Sequence, residues 1–285
     1  MMQTAIDFFT IPFLRNALLA VLLASVAAGL TGSIVVVRRS TYLAGAVAHS
    51  VLAGIGLSVL ISSRWHVQCV SPMTASFIAA AIVACLVSFI RDRGFLRRDT
   101  VLSAIWTGSM AAGIIFIFCS PGYQQDLTGY LFGSVLLITS EDLLSMCVLD
   151  IAVVVCTILF YNRFLAIAFN AESAKIRGLK VGFYEFVYNM LTALTVVLLV
   201  RVVGIVLAVA LLTLPAATAG FFANRLNRMM VCAIAISALV SVAGLAVSYP
   251  ADLPPGALIV LISVLLYVLA ALFRSFRFRR GDVCK

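Results

Sequence analysis

Long apolar runs, broken by short polar stretches, succeed one another from residue 12 almost to the end of the chain. A helix needs roughly 20 such residues to cross the hydrocarbon of a bilayer. The runs predict spans at 12–37, 43–61, 72–90, 100–118, 143–165, 184–203, 204–222, 230–248 and 256–273. Strict alternation of apolar and polar positions is absent, and the runs are too long for barrel strands. Backbone groups in lipid must bond within their own element, so the spans are helices. The pattern therefore predicts an all-α polytopic membrane protein of eight or nine transmembrane helices, forming one transmembrane domain over residues 1–285.

Three places depart from a plain bundle. Residues 119–142, "CSPGYQQDLTGYLFGSVLLITSED", are too long for a turn and too short for two spans. Their middle, 130–139, predicts a short external or re-entrant helix, which needs protein cover for its backbone. Residues 166–183, "AIAFNAESAKIRGLKVGF", form the longest loop on their side. Within them Asn170 is a helix N-cap type, "AESAKIR" reads as one short helix, and Gly178 suits the left-handed residue that ends one. Finally, "RVVGIVLAVALLTLPAATAG" from Arg201 joins two spans almost without a loop and puts Pro215 inside the second. Proline there removes a backbone hydrogen bond and kinks or opens the helix.

Composition agrees with the pattern: 64% of residues are hydrophobic and 11% charged, against about a quarter charged in soluble domains. The net charge of +9 is carried asymmetrically. Arg38 and Arg39, the cluster from Arg91 to Arg98, Arg163 to Lys180, Arg225 and Arg228, and the tail 274–285 fall in alternate loops. They hold 17 of the 20 basic residues. Basic loops stay in the cytoplasm, which predicts an outside N-terminus and an inside C-terminus. The charge is thus explained by topology and gives no reason to invoke nucleic acid. The first run is longer than a signal-peptide core and has its arginines after it, so no cleavable signal is expected. Seven scattered cysteines lack CxxC spacing; most fall in apolar runs and read as small hydrophobes.

Few residues carry candidate chemistry. The chain has two histidines. His66, beside Trp65 and Cys69, reads as an external loop residue. His49 lies inside "STYLAGAVAHSVLAGIGL", where Gly45, His49, Ala53 and Gly56 share one helix face. Such a small-residue stripe lets another helix approach closely. An ionisable group at that depth faces the bundle interior or a cavity, so His49 either packs helices or lies on a metal or proton path. Asp150, about two turns into the fifth span, either lines a polar cavity or marks a span that starts later. The external acids Glu141 and Asp142 read as solvated charge, or as attractors of a cation or a binding protein. No Gly-Lys pair occurs, so no GxxxxGK[ST] phosphate loop exists, and no hydrolytic triad or zinc cluster is visible. An enzyme is not expected.

Four segments, in order and spacing, resemble one family: "VVVRRSTYLAGAVAHSVLAGIGL", "YLFGSVLLITSEDL", "FNAESAKIRGLKV" and "VRVVGIVLAVALLTLPAATA". They are similar to the permease subunits of ABC importers for zinc, manganese and iron, over about residues 12 to 273. The resemblance implies a bacterial inner-membrane permease with three kinds of partner: a separate ATP-binding subunit, an external metal-binding protein, and a second permease chain. A divalent metal ion would be the transported substrate, with no stably bound cofactor. The loop holding Asn170, Glu172, Ala174 and Gly178 would be the coupling helix that docks on the ATPase. In the family, the helix after the Arg-Arg pair reads Gly-Asp-Ala-x-x-His, with Asp and His facing the translocation path. His49 matches that His, whereas Gly45 stands where the Asp should be. The resemblance thus implies a degraded half-site or, as favoured here, a heterodimer whose second permease supplies the full pair. The rival readings are a permease for metal chelates of siderophore or cobalamin type, which would need a wider cavity, and a secondary cation transporter, for which no internal repeat is evident.

Overall fold

A computed structural model describes residues 11–65, 71–90, 98–120, 133, 135 and 138–281. Ten helices follow one another: α1 Pro12–Val37, α2 Thr41–Trp65, α3 Pro72–Ile90, α4 Arg98–Phe118, α5 Ser140–Phe169, α6 Ala171–Ile176, α7 Val181–Val203, α8 Ile205–Gly220, α9 Leu226–Ala251 and α10 Pro255–Gly281. No strand occurs among the described residues. Eight helices are long and apolar enough to span a membrane, and α8 is a shorter apolar helix. The chain is a multi-pass membrane protein. Its nine predicted spans each correspond to one of these helices, with α2, α5, α9 and α10 longer at both ends than their runs suggest. His66, Cys69, Cys284 and most of 130–139 lie outside the described residues.

Three helices form the centre. Of their apolar windows, 67% of α1, 78% of α2 and 72% of α7 is buried, against 17% to 39% of the other long spans. Close approach is possible because α1 is built of small residues: a Cβ on Gly29 would lie 2.5 Å from Ile234 of α9, and one on Gly32 would lie 2.1 Å from the Leu212 carbonyl oxygen of α8. Its hydroxyls are satisfied within the helix, Ser25 donating to the Val21 carbonyl, Thr31 to Ala27 and Ser33 to Gly29 at 2.6–2.7 Å. They therefore cost little in an apolar setting.

Gly204 makes the abrupt α7–α8 junction. Its φ of 93° is a backbone state that glycine adopts freely and L side chains rarely do. Gly133, with φ 75°, rests on this junction, where a Cβ would come within 2.5 Å of the Val203 carbonyl carbon. Asn16 donates to the Ile138 carbonyl at 3.3 Å. The segment before α5 is thus held against α1 and the α7–α8 turn at the positions that can be described. Pro215 is buried inside α8, which continues through it to Gly220.

Candidate functional site

His49 sits eight residues into α2 and is 9% exposed. The small-residue face that carries it packs on α4, the most extensive helix pairing in the bundle. Gly56 and Gly113 interlock there: a Cβ on Gly56 would lie 2.7 Å from the Gly113 carbonyl oxygen, and one on Gly113 2.8 Å from Leu52. Two helical turns before Gly113, Trp106 lays its indole on the imidazole. Ring centroids are 5.0 Å apart and the planes 23° from parallel. The same indole fills the space beside Gly45, where a Cβ would lie 2.1 Å from Cζ3 and 2.6 Å from Cε3. A carboxylate at position 45 has no room while Trp106 stays there. The Nδ1 of His49 has no hydrogen-bond partner among the described residues, a costly state for a buried polar atom.

Asp150 is elsewhere. It lies ten residues after Ser140, on the buried face of α5 that packs against α1, beside the Ala27 backbone. It is 6% exposed, and its Oδ1 is unpartnered among the described residues. The helix that carries Asp150 begins before residue 143. Thr139 and Asp142 form a capping box that starts α5 at Ser140, which satisfies two of the free N–H groups of the first turn. The structure therefore separates His49, which faces α4, from Asp150, which faces α1. No group of three His, Cys, Asp or Glu side chains is clustered among the described residues.

Asp142 is not the solvated charge its position suggested. It is buried and accepts from Arg201 of α7 at 2.7 Å as well as from Thr139. Glu141 beside it is exposed. The five described cysteines are free: Cys147 and Cys156 are partly buried, with Cys156 packed against the hydrophobic core, and Cys85, Cys119 and Cys232 are exposed.

At the other end of the bundle lies the short helix α6. Asn170 caps it by accepting from the Ser173 N–H at 2.9 Å, and Gly178, with φ 80°, ends its turn. Ala174 is the one buried residue of α6 and packs with Ile167 and Val181. Glu172, Lys175, Ile176 and Arg177 face outward, Ile176 at 86% exposure. The helix is a knob fixed by one small residue. A groove of 530 Å³ beside it is lined by Arg163, Gly178, Leu179, Lys180, Phe183 and Tyr184.

Four residues beyond Val181, Glu185 forms an ion pair with Arg38, the residue that caps α1. The Arg38 guanidinium also lies 4.6 Å from the centre of the Tyr188 ring, and the Tyr188 hydroxyl shares a 2.6 Å hydrogen bond with Ser40. Burial lowers the Arg38 pKa from its ordinary value. Sequence reasoning missed this network, and it missed Trp106 and the role of Arg201. Signals for two of them were present: Glu185 is an acid inside an apolar run, and "TSED" at 139–142 carries a capping-box spacing. Nothing local marks Trp106 as the neighbour of Gly45, 61 positions away.

The chain has relatives over nearly its whole length. A protein of Chlamydia pneumoniae named "Probable metal transport system membrane protein" is 34% identical over 261 residues, 92% of this chain and 89% of that one. The manganese transport system membrane protein MntC of Listeria monocytogenes is 31% identical, over 92% of this chain and 90% of its own. Among solved structures, PsaBC from Streptococcus pneumoniae in complex with Fab shares the fold with a TM-score of 0.83 and 26% identity, over 94% of each chain. Residues 10–274, from the start of the first span into the last, match the ABC 3 transport family, and the chain belongs to that family.

Proposed function

We propose that this chain is the transmembrane permease subunit of an ATP-driven importer for a divalent transition metal ion, with manganese the leading substrate among Mn, Zn and Fe. The observation that carries this reading is α6: a six-residue helix with an exposed apolar tip, on the face that the basic loops assign to the cytoplasm. The names of the relatives support metal, and manganese in particular. An ATP-binding subunit docks on α6 through Asn170, Glu172, Ala174 and Gly178. An external metal-binding protein delivers the ion to the opposite face of a bacterial inner membrane. The N-terminus is outside and the C-terminus inside.

Transport proceeds by alternating access. ATP binding draws two ATPase subunits together, the movement passes through α6 into α7, and the permease halves rock. His49 contacts the passing ion weakly, as conduction requires an ion to leave as readily as it enters. Asp150 is a second polar point, on α5, and Pro215 lets α8 bend as the halves move. A second, non-identical permease chain provides the carboxylate that Gly45 does not, and the metal is cargo rather than a resident cofactor. ATP hydrolysis belongs to the partner, so this chain is no enzyme.

Metal uptake into vesicles holding the complete complex tests the reading. ATP-dependent uptake of Mn²⁺ that His49→Ala abolishes, while the subunits still co-purify, is the expected result. Absence of ATP-dependent uptake of Mn²⁺, Zn²⁺ and Fe²⁺ alike overturns it. Full-rate transport with this chain as the sole permease would overturn the heterodimer.

A further inference from the structure

We propose that Trp106 is a lid over His49, seated in the notch that Gly45 leaves open, and that it withholds the imidazole from the ion until α4 moves. This rests on the reading of His49 as a contact on the ion's path. Three observations carry it. The indole covers one face of the imidazole at 5.0 Å. It occupies the volume any side chain at position 45 would need, with a Cβ there only 2.1 Å from the ring. And the imidazole it covers is buried with an unpartnered Nδ1, so it is held ready for a ligand and is not spent on a structural hydrogen bond.

The seating also says how the lid opens. Gly56 and Gly113 lock α2 and α4 together two turns beyond Trp106, with backbone nearly touching backbone. The other half of α4 runs from Trp106 back to Arg98, and its flanking residues Ser103, Ala104, Thr107 and Gly108 are exposed. Gly108 has no neighbour within 4 Å of its missing Cβ. A tilt of α4 about the Gly56–Gly113 crossing therefore lifts the indole, and with it draws Leu102, which is 3% exposed and part of the core, away from its neighbours. A carboxylate at position 45 would be incompatible with this closed state, so the loss of the acid and the presence of the lid are one design. Trp106 is a positioning residue: it controls access to His49 and does not ligate.

The test uses the full chain in lipid nanodiscs and needs no partner. Diethylpyrocarbonate acylates accessible imidazoles, and peptide mass spectrometry resolves His49 from His66. A closed state leaves an open form of at most about a tenth of the population, so Trp106→Ala is expected to raise His49 acylation at least about tenfold. Millimolar Mn²⁺ should protect His49 in that variant and have little effect in the wild-type chain. Gly45→Ala, in a Trp65→Phe background that leaves Trp106 the sole tryptophan, should expel the indole and shift its emission to the red. Equal acylation of His49 with and without Trp106, together with unchanged emission in Gly45→Ala, overturns the lid. Faster acylation that Mn²⁺ does not slow overturns its part in admitting the ion. A failure of ATP-driven uptake alone would sink the importer reading and leave these measurements standing.

Discussion

On the topology proposed above, α7 has a cytoplasmic end and an external end; each is pinned by an ion pair, and the pairs are built differently. At the cytoplasmic end, Arg38 and Glu185 have side-chain exposures of 11% and 4%. A ring and a second hydrogen bond lie beside them. At the external end, Arg201 and Asp142 have exposures of 43% and 11%, and the acid is shared with a helix cap. Two buried charges lose their hydration, so the first pair matters mainly through what happens when one partner is removed. The second is partly screened and its attraction is small. The cytoplasmic end is therefore the rigid one. It is also the end that adjoins α6, and α2, with His49, begins three residues after Arg38.

The largest effect is expected from breaking the cytoplasmic pair on one side. Glu185→Ala leaves Arg38 buried without its counter-charge, a loss of about 3–5 kcal/mol by analogy with buried pairs elsewhere. A lowered unfolding midpoint in detergent measures it. The double variant Arg38→Met with Glu185→Leu should recover most of the loss, because it removes both charges and keeps the volume. If Glu185→Ala is as stable as the parent, the buried Arg38 does not need its counter-charge, and the contrast between the ends disappears.

Asp142→Ala comes next. It removes the capping-box acceptor of α5 and the partner of Arg201 together, for about 1–2 kcal/mol. Asp142→Asn keeps part of the cap and should cost less. The comparison separates the cap from the charge. Tyr188→Phe is smaller again, about 1 kcal/mol. It deletes the hydrogen bond to Ser40 but leaves the ring beneath Arg38. A loss as large as that of Glu185→Ala would mean that the hydroxyl, and not the ion pair, holds the cytoplasmic end.

What the sequence disclosed follows from the range of the interactions. The spans were legible because lipid demands long apolar runs, and every run has its helix. Asn170 and Gly178 were legible because a cap and a left-handed residue are local chemistry acting over three or four positions. Asp142 was misread although its cap was local too: "TSED" was taken for a loop because it precedes the apolar run, and the helix starts earlier than the run does. The partners of Gly45 and Glu185 were beyond reach in principle. Trp106 and Arg38 are distant in sequence, and only the crossing of α2 on α4 and of α1 on α7 brings them in. A departure from a family motif, Gly45 for an acid, could be seen in the sequence. The side chain that takes up the vacated space could not.

The smallest effect is expected at Arg201, and it is the most informative about the external end. Arg201→Gln removes a charge that is 43% exposed, so the loss should be about 0.2–1 kcal/mol. Screening gives the prediction its sign. Raising salt from low to about 0.5 M shortens the Debye length below 10 Å, so the gap in unfolding midpoint between Arg201→Gln and the parent should narrow. Asp142→Ala should keep most of its cost under the same change, because the cap is a hydrogen bond to backbone and does not depend on Arg201. A gap for Arg201→Gln that stays above about 2 kcal/mol in salt would mean that this pair is shielded like the cytoplasmic one. Both ends of α7 would then be clamped alike, and the distinction between a rigid cytoplasmic end and a lightly held external end would have to be given up.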